Sequence, residues 1–288
     1  MANTNVKKIL RIIESTEKQF GKGSIFPLGS KYENAQIPRV LTNLPDFDGA
    51  IGGGIPEGRI IELFGQESAG KTEFSYHIMA QYKLALMVDA EGTFNGARAR
   101  LHGNRKGQLI IRKPDYAEEA LGLIFDFAEA GIPIIVVDSV PSLIPKKEME
   151  QTSKKFDKNA GMAMISGVLS RKLPILAGIC QKSGTTVLFI NQVRDNFNAG
   201  PFGDPHVTPG GRALKHNASL RMKIGRKGWL QHPKLGAFGQ ISKIKIVKSK
   251  VSKPYRECEL PLVFDKGFVL PHDLVGVRTE LIDGEGEE

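Results

Sequence analysis

A glycine-rich segment has the clearest chemistry in this sequence. It follows an apolar run, leads into a helix-compatible stretch, and comprises Gly65, Gln66, Glu67, Ser68, Ala69, Gly70, Lys71 and Thr72. Its glycines allow backbone N–H groups to curl around a phosphate, the Lys71 ammonium can reach the β- and γ-phosphates, and the Thr72 hydroxyl can ligate Mg²⁺. A helix that begins here adds the positive end of its dipole. The segment predicts a nucleoside triphosphatase site.

Three polar residues follow apolar runs that are typical of buried strands. Asp138 could hold Mg²⁺ at the edge of a sheet or cap a helix, and the glycine-rich segment favours the metal role. Glu91 could orient an attacking water, although a strand-end acid is often only solvated. Gln192 could bind the γ-phosphate or be an ordinary loop amide.

Length and composition limit the class of protein. With 288 residues, 41% of them apolar, the chain can form one large α/β domain, with or without a small appendage. Its longest apolar stretch, residues 132–137, is too short for a bilayer, and residues 1–8 do not lead into a signal peptide. We therefore expect a cytoplasmic protein without a membrane partner. Cys180, Cys258 and six scattered histidines indicate neither a disulfide framework nor a zinc site.

Helix-like and strand-like runs alternate along the chain. Residues 1–20 have apolar side chains at helical spacing, which predicts an amphipathic helix, and residues up to 38 resemble a linker. From residue 39 to 270 the order is typical of a mostly parallel sheet flanked by helices. Asp115 and Glu118 have capping spacing for a helix that ends at Gly131. The strand-like runs are residues 60–64, 84–89, 109–111, 134–138 and 187–191.

The last third of the chain changes character. Residues 195–211 are rich in glycine and proline and lack helical or strand periodicity, so they indicate a functional or disordered loop. Residues 240–248 alternate with period two and predict an antiparallel extension of the sheet. Lys248 and Lys250 point the same way on that strand, towards a phosphate or along a solvated face. Residues 271–288 form a short tail with an acidic end.

Taken together, these segments resemble the RecA family of DNA strand-exchange recombinases over most of the chain. They occur in family order with compatible gaps, which makes the set more specific than any single motif. The matching segments are residues 17–25 at the end of the N-terminal polymerisation helix, 65–72, 88–91, 136–139, 189–194, 202–205, 210–211, 213–215 and 247–250.

The resemblance implies a RecA-like P-loop core that uses ATP and Mg²⁺. It makes Glu91 the catalytic glutamate and Gln192 the sensor of the γ-phosphate. Lys248 and Lys250 would reach the ATP of the adjacent subunit. Arg98 stands where the family stacks a tyrosine on adenine; a guanidinium can also stack, so the nucleotide preference stays open.

The resemblance also implies two DNA-binding loops, over about residues 147–164 and over residues 195–211. Positive charge flanks the second loop, and its glycines permit close approach to a sugar–phosphate backbone. The first loop is more basic than the family pattern, and the usual arginine is replaced near residues 164–165. The residues expected at DNA are Arg171, Arg194, Phe202, Gly203, Gly210, Gly211 and Arg212.

The implied function is ATP-dependent recombination. Identical subunits would form a helical filament on single-stranded DNA and pair it with homologous duplex DNA, with loading or mediator proteins as further partners. The net charge of +9 suits a polyanionic partner. Only twenty residues follow Phe268, so the family's usual C-terminal domain has no room, and we expect a compact, phage-type member or a shortened chain.

Two alternatives stay open. The first is a ring-forming, helicase-type motor on the same core. The second is a non-catalytic accessory protein that uses ATP as a structural ligand. Retention of Lys71, Thr72, Glu91 and Asp138 argues against the accessory protein, because binding alone does not need every catalytic carboxylate.

Overall fold

A computed structural model of the chain describes residues 2–21, 24–25, 37–150, 158–195, 206–234 and 236–274. It divides the chain into two compact units, Met1–Pro38 and Arg39–Glu288. The first unit contains helix α1, Ala2–Phe20, as its sequence predicts. Gly21 follows with a φ of 95°. The apolar stripe of α1 is largely exposed, with 56% of Ile9 accessible to solvent.

The second unit alternates strands and helices. Its helices are α2 Pro45–Ile51, α3 Lys71–Met79, α4 Gly96–Leu101, α5 Ala117–Glu129, α6 Lys146–Glu150, α7 Lys158–Ser183 and α8 Gly211–Asn217. Its strands are β1 Arg39–Val40, β2 Ile55–Pro56, β3 Ile60–Gly65, β4 Ala85–Asp89, β5 Leu109–Arg112, β6 Ile134–Asp138, β7 Thr186–Gln192, β8 Arg194–Asp195, β9 His206–Val207, β10 Leu220–His232, β11 Gly236–Ser249, β12 Glu257–Val263 and β13 Gly267–Phe268.

One nine-stranded sheet organises this unit, in the order β13-β12-β11-β10-β3-β7-β6-β4-β5. The strands from β10 to β5 are parallel, and β11 to β13 extend the sheet in antiparallel fashion. All residues of β3, β4 and β6 are buried, which explains their continuous apolar sequences. The fold class predicted from the sequence is therefore confirmed.

Hydrophobic clusters cover both faces of the sheet. Because successive side chains on a strand point to opposite faces, Ile61 and Val136 belong to a cluster that includes residues of α2 and α3. Ile60 and Val137 belong to a second cluster, which includes residues of α5 and α7. Helices on both faces hold the strand ends in place, so loops at the carboxyl edge of the parallel strands can carry a site.

Helix α5 begins differently from the prediction. Tyr116 is its N-cap and makes no side-chain capping bond. The backbone N–H of Asp115 instead donates to Glu119 Oε2 at 2.8 Å, and Glu118 accepts a bond from Lys146 N. The predicted Asp115–Glu118 capping box is therefore wrong, because a different glutamate faces the start of the helix. Gly131 follows the helix with a φ of 77°, as expected.

The segment at residues 195–211 has regular structure at both ends. Strand β8 pairs with β9 in antiparallel register, and Gly211 begins α8. Strands β8 and β9 have only two residues each, which is too short to produce a periodic pattern in the sequence. Residues 196–205 lie outside the described residues, as do most of the predicted linker and residues 275–288. No helix within the described ranges is long and apolar enough to cross a bilayer.

Candidate nucleotide-binding site

The glycine-rich segment joins the carboxyl end of β3 to the start of α3. Gly65 is the last residue of β3, and a Cβ there would lie 2.1 Å from the backbone oxygen of Ile224 on β10. Only glycine permits that approach. Gly70 is the N-cap of α3 and has a left-handed backbone, with a φ of 93°. The segment therefore bends sharply before the helix and presents the N-terminus of α3 to the edge of the sheet.

The Lys71 side chain folds back over this segment. Its ammonium donates to the carbonyl oxygens of Gln66 at 2.7 Å and Gly65 at 3.2 Å. Burial lowers the pKa of Lys71, while the carboxylates of Asp138, Glu91 and Glu67 act in the opposite direction. A phosphate oxygen could replace the two carbonyl oxygens as the partner of the Lys71 ammonium, which is already held at the loop.

Two side chains with oxygen atoms that can bind a metal ion lie beside the glycine-rich loop. The Thr72 hydroxyl donates to Asp138 Oδ2 at 2.7 Å, and Asp138 is 1% exposed at the end of β6. Burial raises the pKa of Asp138 to about 6, and the negative charges of Glu91 and Asp89 add to this effect. Hydroxyl and carboxylate oxygens are ligands that Mg²⁺ prefers. The pair therefore fits Mg²⁺ that receives its other ligands from phosphates and water.

Side chains alone do not form a larger metal centre in the described part of the chain. No group of three or more His, Cys, Asp or Glu residues there is suited to a metal ion. A cation shared with a bound triphosphate is consistent with this observation, because Mg²⁺ commonly keeps few protein ligands.

Glu91 lines the same cavity, beyond the end of β4. Its backbone N–H donates to the carbonyl of Asp138 at 3.1 Å, which ties the loop after β4 to the end of β6. The Asp89 carboxylate then accepts bonds from three successive backbone N–H groups, on Gly92, Thr93 and Phe94. Asp89 thus shapes the loop that carries Glu91, a role that sequence reasoning missed although this acid ends the same strand.

Gln192 lies at the end of β7, opposite Gly65 in the parallel register, and also lines the cavity. The preceding Asn191 is buried and donates to Glu62 Oε1 and to the carbonyl of Pro209, both at 2.9 Å. The strand end that carries Gln192 is therefore bonded to the segment that precedes α8.

The cavity has a volume of about 560 Å³, and the antiparallel strands form its second wall. The Arg226 guanidinium lies 4.0 Å from the centroid of the Trp229 ring, and Trp229 meets Phe264 edge to face at 6.2 Å. Trp229, Gln240 and Leu262 are register partners across β10, β11 and β12. Sequence reasoning missed this wall, although Trp229 is the single tryptophan of the chain.

Arg98 also lines the cavity, from helix α4. Its Nε lies 2.5 Å from Glu73 Oε1, and 46% of the Arg98 side chain is exposed. Glu73 is a further cavity residue that sequence reasoning did not identify, because the glycine-rich pattern ends at Thr72. The residues of that pattern that line the cavity are Glu67, Ser68, Gly70, Lys71 and Thr72.

Lys248 and Lys250 lie away from this cavity. Both ammonium groups donate to the carbonyl of His216 at 3.0 Å, near the C-terminus of α8, so the side chains do point the same way. Lys248 is paired with Arg221, which is paired with Glu62 near the middle of β3. The glycine-rich loop begins three residues further along β3. The two lysines therefore do not belong to the phosphate cradle of their own chain.

The residues expected at DNA lie on other surfaces. Arg171 on α7, Arg194 on β8 and Arg212 on α8 are exposed, and none of them lines the cavity. Gly210 is buried as the N-cap of α8, and Gly211 begins that helix. Phe202 and Gly203 lie outside the described residues.

The parallel sheet, the glycine-rich loop and the Thr72–Asp138 pair define a P-loop nucleotide-binding core. Comparison with known proteins identifies the family within this class. The family profile of the RecA N-terminal domain matches residues 7–269. The chain belongs to the RecA family.

Curated relatives named Protein RecA support this assignment. The protein of Syntrophus aciditrophicus is 39% identical over 274 residues, which cover 93% of this chain and 78% of the relative. The protein of Campylobacter jejuni serotype O:23/36 is 36% identical over 294 residues, 99% of this chain and 84% of the relative. The protein of Staphylococcus aureus strain JH9 is 35% identical over 294 residues, with coverage of 99% and 83%.

Proposed function

We propose that this chain is an ATP-dependent homologous recombinase. Its subunits form a helical filament on single-stranded DNA and exchange strands with a homologous duplex, and DNA stimulates hydrolysis of ATP. The main support is the convergence on one cavity of Lys71, the Thr72–Asp138 pair, Glu91 and Gln192. Membership of a family whose relatives are named RecA supports the coupling of this ATPase to recombination.

Each cavity residue has a distinct task in this proposal. Lys71 and the N-terminus of α3 bind the phosphates, while Thr72 and Asp138 would hold Mg²⁺, whose positive charge would favour binding of the triphosphate. Glu91 orients the attacking water and accepts its proton. Gln192 binds the γ-phosphate and reports its loss through the bonds of Asn191 to the segment before α8.

Lys248 and Lys250 act on the ATP of the neighbouring subunit. Their distance from the cradle of their own chain supports this role, as does their common direction on the sheet. Burial lowers the pKa of Lys248, and the nearby charge of Lys250 contributes to this. An anion placed between the two ammonium groups would relieve their repulsion. Hydrolysis then depends on assembly, because each site needs residues of two subunits.

The exposed arginines Arg171, Arg194 and Arg212 contact DNA together with the loop between β8 and β9. These residues bind single-stranded DNA, and a homologous duplex is paired with the bound strand. The named relatives are bacterial, so we propose the cytoplasm as the compartment. We also propose loading or mediator proteins as partners.

Strand exchange tests this function directly. A labelled single strand and a homologous duplex are mixed with the protein, Mg²⁺ and ATP, and transfer of the strand is followed by gel electrophoresis. We expect exchange with a homologous duplex, none with a heterologous duplex, and none with Lys71→Ala. Unwinding of a duplex without exchange would instead identify a helicase-type motor, and stable binding of ATP without turnover would identify an accessory protein.

A further inference from the structure

Glu73 forms a bridge beside the nucleotide cavity. It follows Thr72 on α3, and its two carboxylate oxygens have different partners: Oε1 lies 2.5 Å from Arg98 Nε, and Oε2 lies 2.6 Å from His102 Nε2. The His102 side chain is completely buried, that of Glu73 is 14% exposed, and that of Arg98 is 46% exposed. The bridge thus runs from the interior to an arginine at the surface of the cavity.

The negative charge of the Glu73 carboxylate is unfavourable beside a phosphate site unless nearby groups balance it. Glu73 lies one residue beyond the metal-side Thr72, where it would repel the phosphates of a nucleotide. Burial would raise the pKa of Glu73, but the hydrogen bond from His102 and the charge of Arg98 outweigh burial and lower it. Both oxygens of Glu73 are thus occupied by donors, Oε1 by Arg98 Nε and Oε2 by His102 Nε2.

The backbone around Arg98 is already fixed. Asn95 caps α4 by accepting bonds from the N–H groups of Ala97 and Arg98, and its own N–H donates to the hydroxyl of Tyr76 on α3. At the other end, Asn104 donates to the carbonyls of Tyr76 and Ala99. Helix α4 is thus attached to α3 at both ends, and the side chain of Arg98 is the part that still needs orientation.

We propose that Glu73, held in turn by His102, is a positioning residue that presents the Arg98 guanidinium to the base of a bound nucleotide. This inference rests on the proposed function and adds to it how the base is recognised. A free arginine loses much rotamer entropy when it orders on a ligand, and a side chain ordered in advance loses less. The guanidinium plane can stack on a purine while its Nε is bonded to Glu73.

Two probes separate contact with the base from contact with the phosphates. ADP has a base, whereas inorganic tripolyphosphate has none, and the chain is not expected to hydrolyse ADP. Binding of each is measured by calorimetry with Mg²⁺. For Glu73→Gln we expect ADP to bind about tenfold more weakly, the order of a lost cation–π contact, and tripolyphosphate to bind within about twofold of the parent protein.

The pair of Arg112 and Glu119 supplies a matched control. It is also an arginine–glutamate pair with an Nη2–Oε1 distance of 2.5 Å and similar exposure, but it does not line the cavity. Glu119→Gln should leave the binding of both probes unchanged. Glu73→Asp, which keeps the charge but shortens the side chain, should weaken ADP alone, because one carboxylate can then no longer reach both partners.

A double-mutant cycle tests whether Glu73 acts through Arg98. In an Arg98→Ala background, Glu73→Gln should no longer weaken ADP, because the group that Glu73 positions is absent. Equal loss of ADP and tripolyphosphate, tighter binding of both, or an undiminished effect without Arg98 would each overturn the inference. If the parent protein bound neither probe, the proposed function would fail together with it.

Discussion

At the scale of single residues, Asp138 meets two opposing demands. Its proposed role in holding Mg²⁺ needs the ionised form, yet burial, with the charges of Glu91 and Asp89, raises its pKa from 3.8 to about 6. The folded protein therefore binds this proton more tightly than the unfolded chain does. As the pH rises from about 4 through 6, ionisation costs the folded state stability, and the full penalty is present above the folded pKa.

Asp138→Asn should consequently stabilise the protein without nucleotide or Mg²⁺ at pH 7.5. Asparagine does not ionise and can still accept the bond from Thr72, so we expect a gain of roughly 1–3 kcal/mol in the free energy of unfolding. The gain should shrink as the pH is lowered towards 4, while hydrolysis of ATP is lost. Thermal unfolding at both pH values measures this; a variant less stable than the parent at pH 7.5 would contradict the prediction.

Glu91 can be tested separately from binding. Glu91→Gln removes the base but keeps a polar side chain of similar size, so ATP affinity should be retained while turnover falls by about 10² to 10⁴. Lys71→Ala should instead lose binding. Calorimetry and a phosphate-release assay distinguish the two variants, and full turnover by Glu91→Gln would remove the catalytic assignment.

Sequence reasoning located the residues that end buried strands but not those that orient them. Asp138, Glu91 and Gln192 were identifiable because apolar runs point to a common sheet edge, and the structure places all three at one cavity. Asp89 and His102 were missed because their partners depend on how a loop and a helix fold back. The partners of Asp89 are backbone N–H groups, which carry no residue signature, and the partner of His102 is Glu73, 29 residues earlier in the chain.

At the scale of elements, the five parallel strands predicted from the sequence are correct to within one residue at each end. Burial on both faces makes their apolar runs continuous, and that signal is strong. Helix α7 gave a weaker signal, because Pro174 lies within it. Its buried face, Leu169, Leu173, Leu176 and Cys180, has helical spacing and is visible once the proline is accepted as exposed.

Lys248, near the end of β11, allows the proposed action across a subunit interface to be tested. Lys248→Ala should reduce hydrolysis in filaments on DNA by tenfold or more, and should leave the slow hydrolysis of isolated subunits unchanged. Lys248 also donates to carbonyls of α8, so the variant must first be shown to unfold at a temperature near that of the parent.

Lys83→Ala is a suitable control for that experiment, because Lys83 is an exposed lysine that does not line the nucleotide cavity. It should change neither rate. If isolated Lys248→Ala subunits lost activity as much as filaments did, the action of Lys248 across an interface would be wrong.

At the scale of the whole molecule, the proposed assembly can be tested at helix α1. Val6, Ile9 and Leu10 form an apolar stripe and are each more than half exposed. Ile9→Lys should therefore lower the size of assemblies in sedimentation on DNA and raise the protein concentration needed for hydrolysis. Ser15→Lys adds the same charge to the opposite face of α1 and should change neither quantity. Equal effects of both substitutions would contradict a role for the stripe.

The second wall of the cavity could not be predicted from the sequence, because it depends on how distant strands pair. Arg226, Trp229 and Phe264 come together because β10, β11 and β12 lie side by side and Phe264 follows the last of them. The alternation of β11 predicted an antiparallel extension, but its register against β10, with several irregularities, decides which side chains reach the cavity. Register depends on long-range pairing rather than on local pattern.

The most direct measurement of the proposed activity is the rate of ATP hydrolysis with and without single-stranded DNA, across a series of salt concentrations. Because the exposed arginines would contact phosphates, salt should weaken the DNA complex. We predict that single-stranded DNA stimulates hydrolysis and that the stimulation fades as the salt concentration rises. Hydrolysis that DNA does not change at any salt concentration, or binding of ATP without turnover, would contradict a DNA-dependent recombinase.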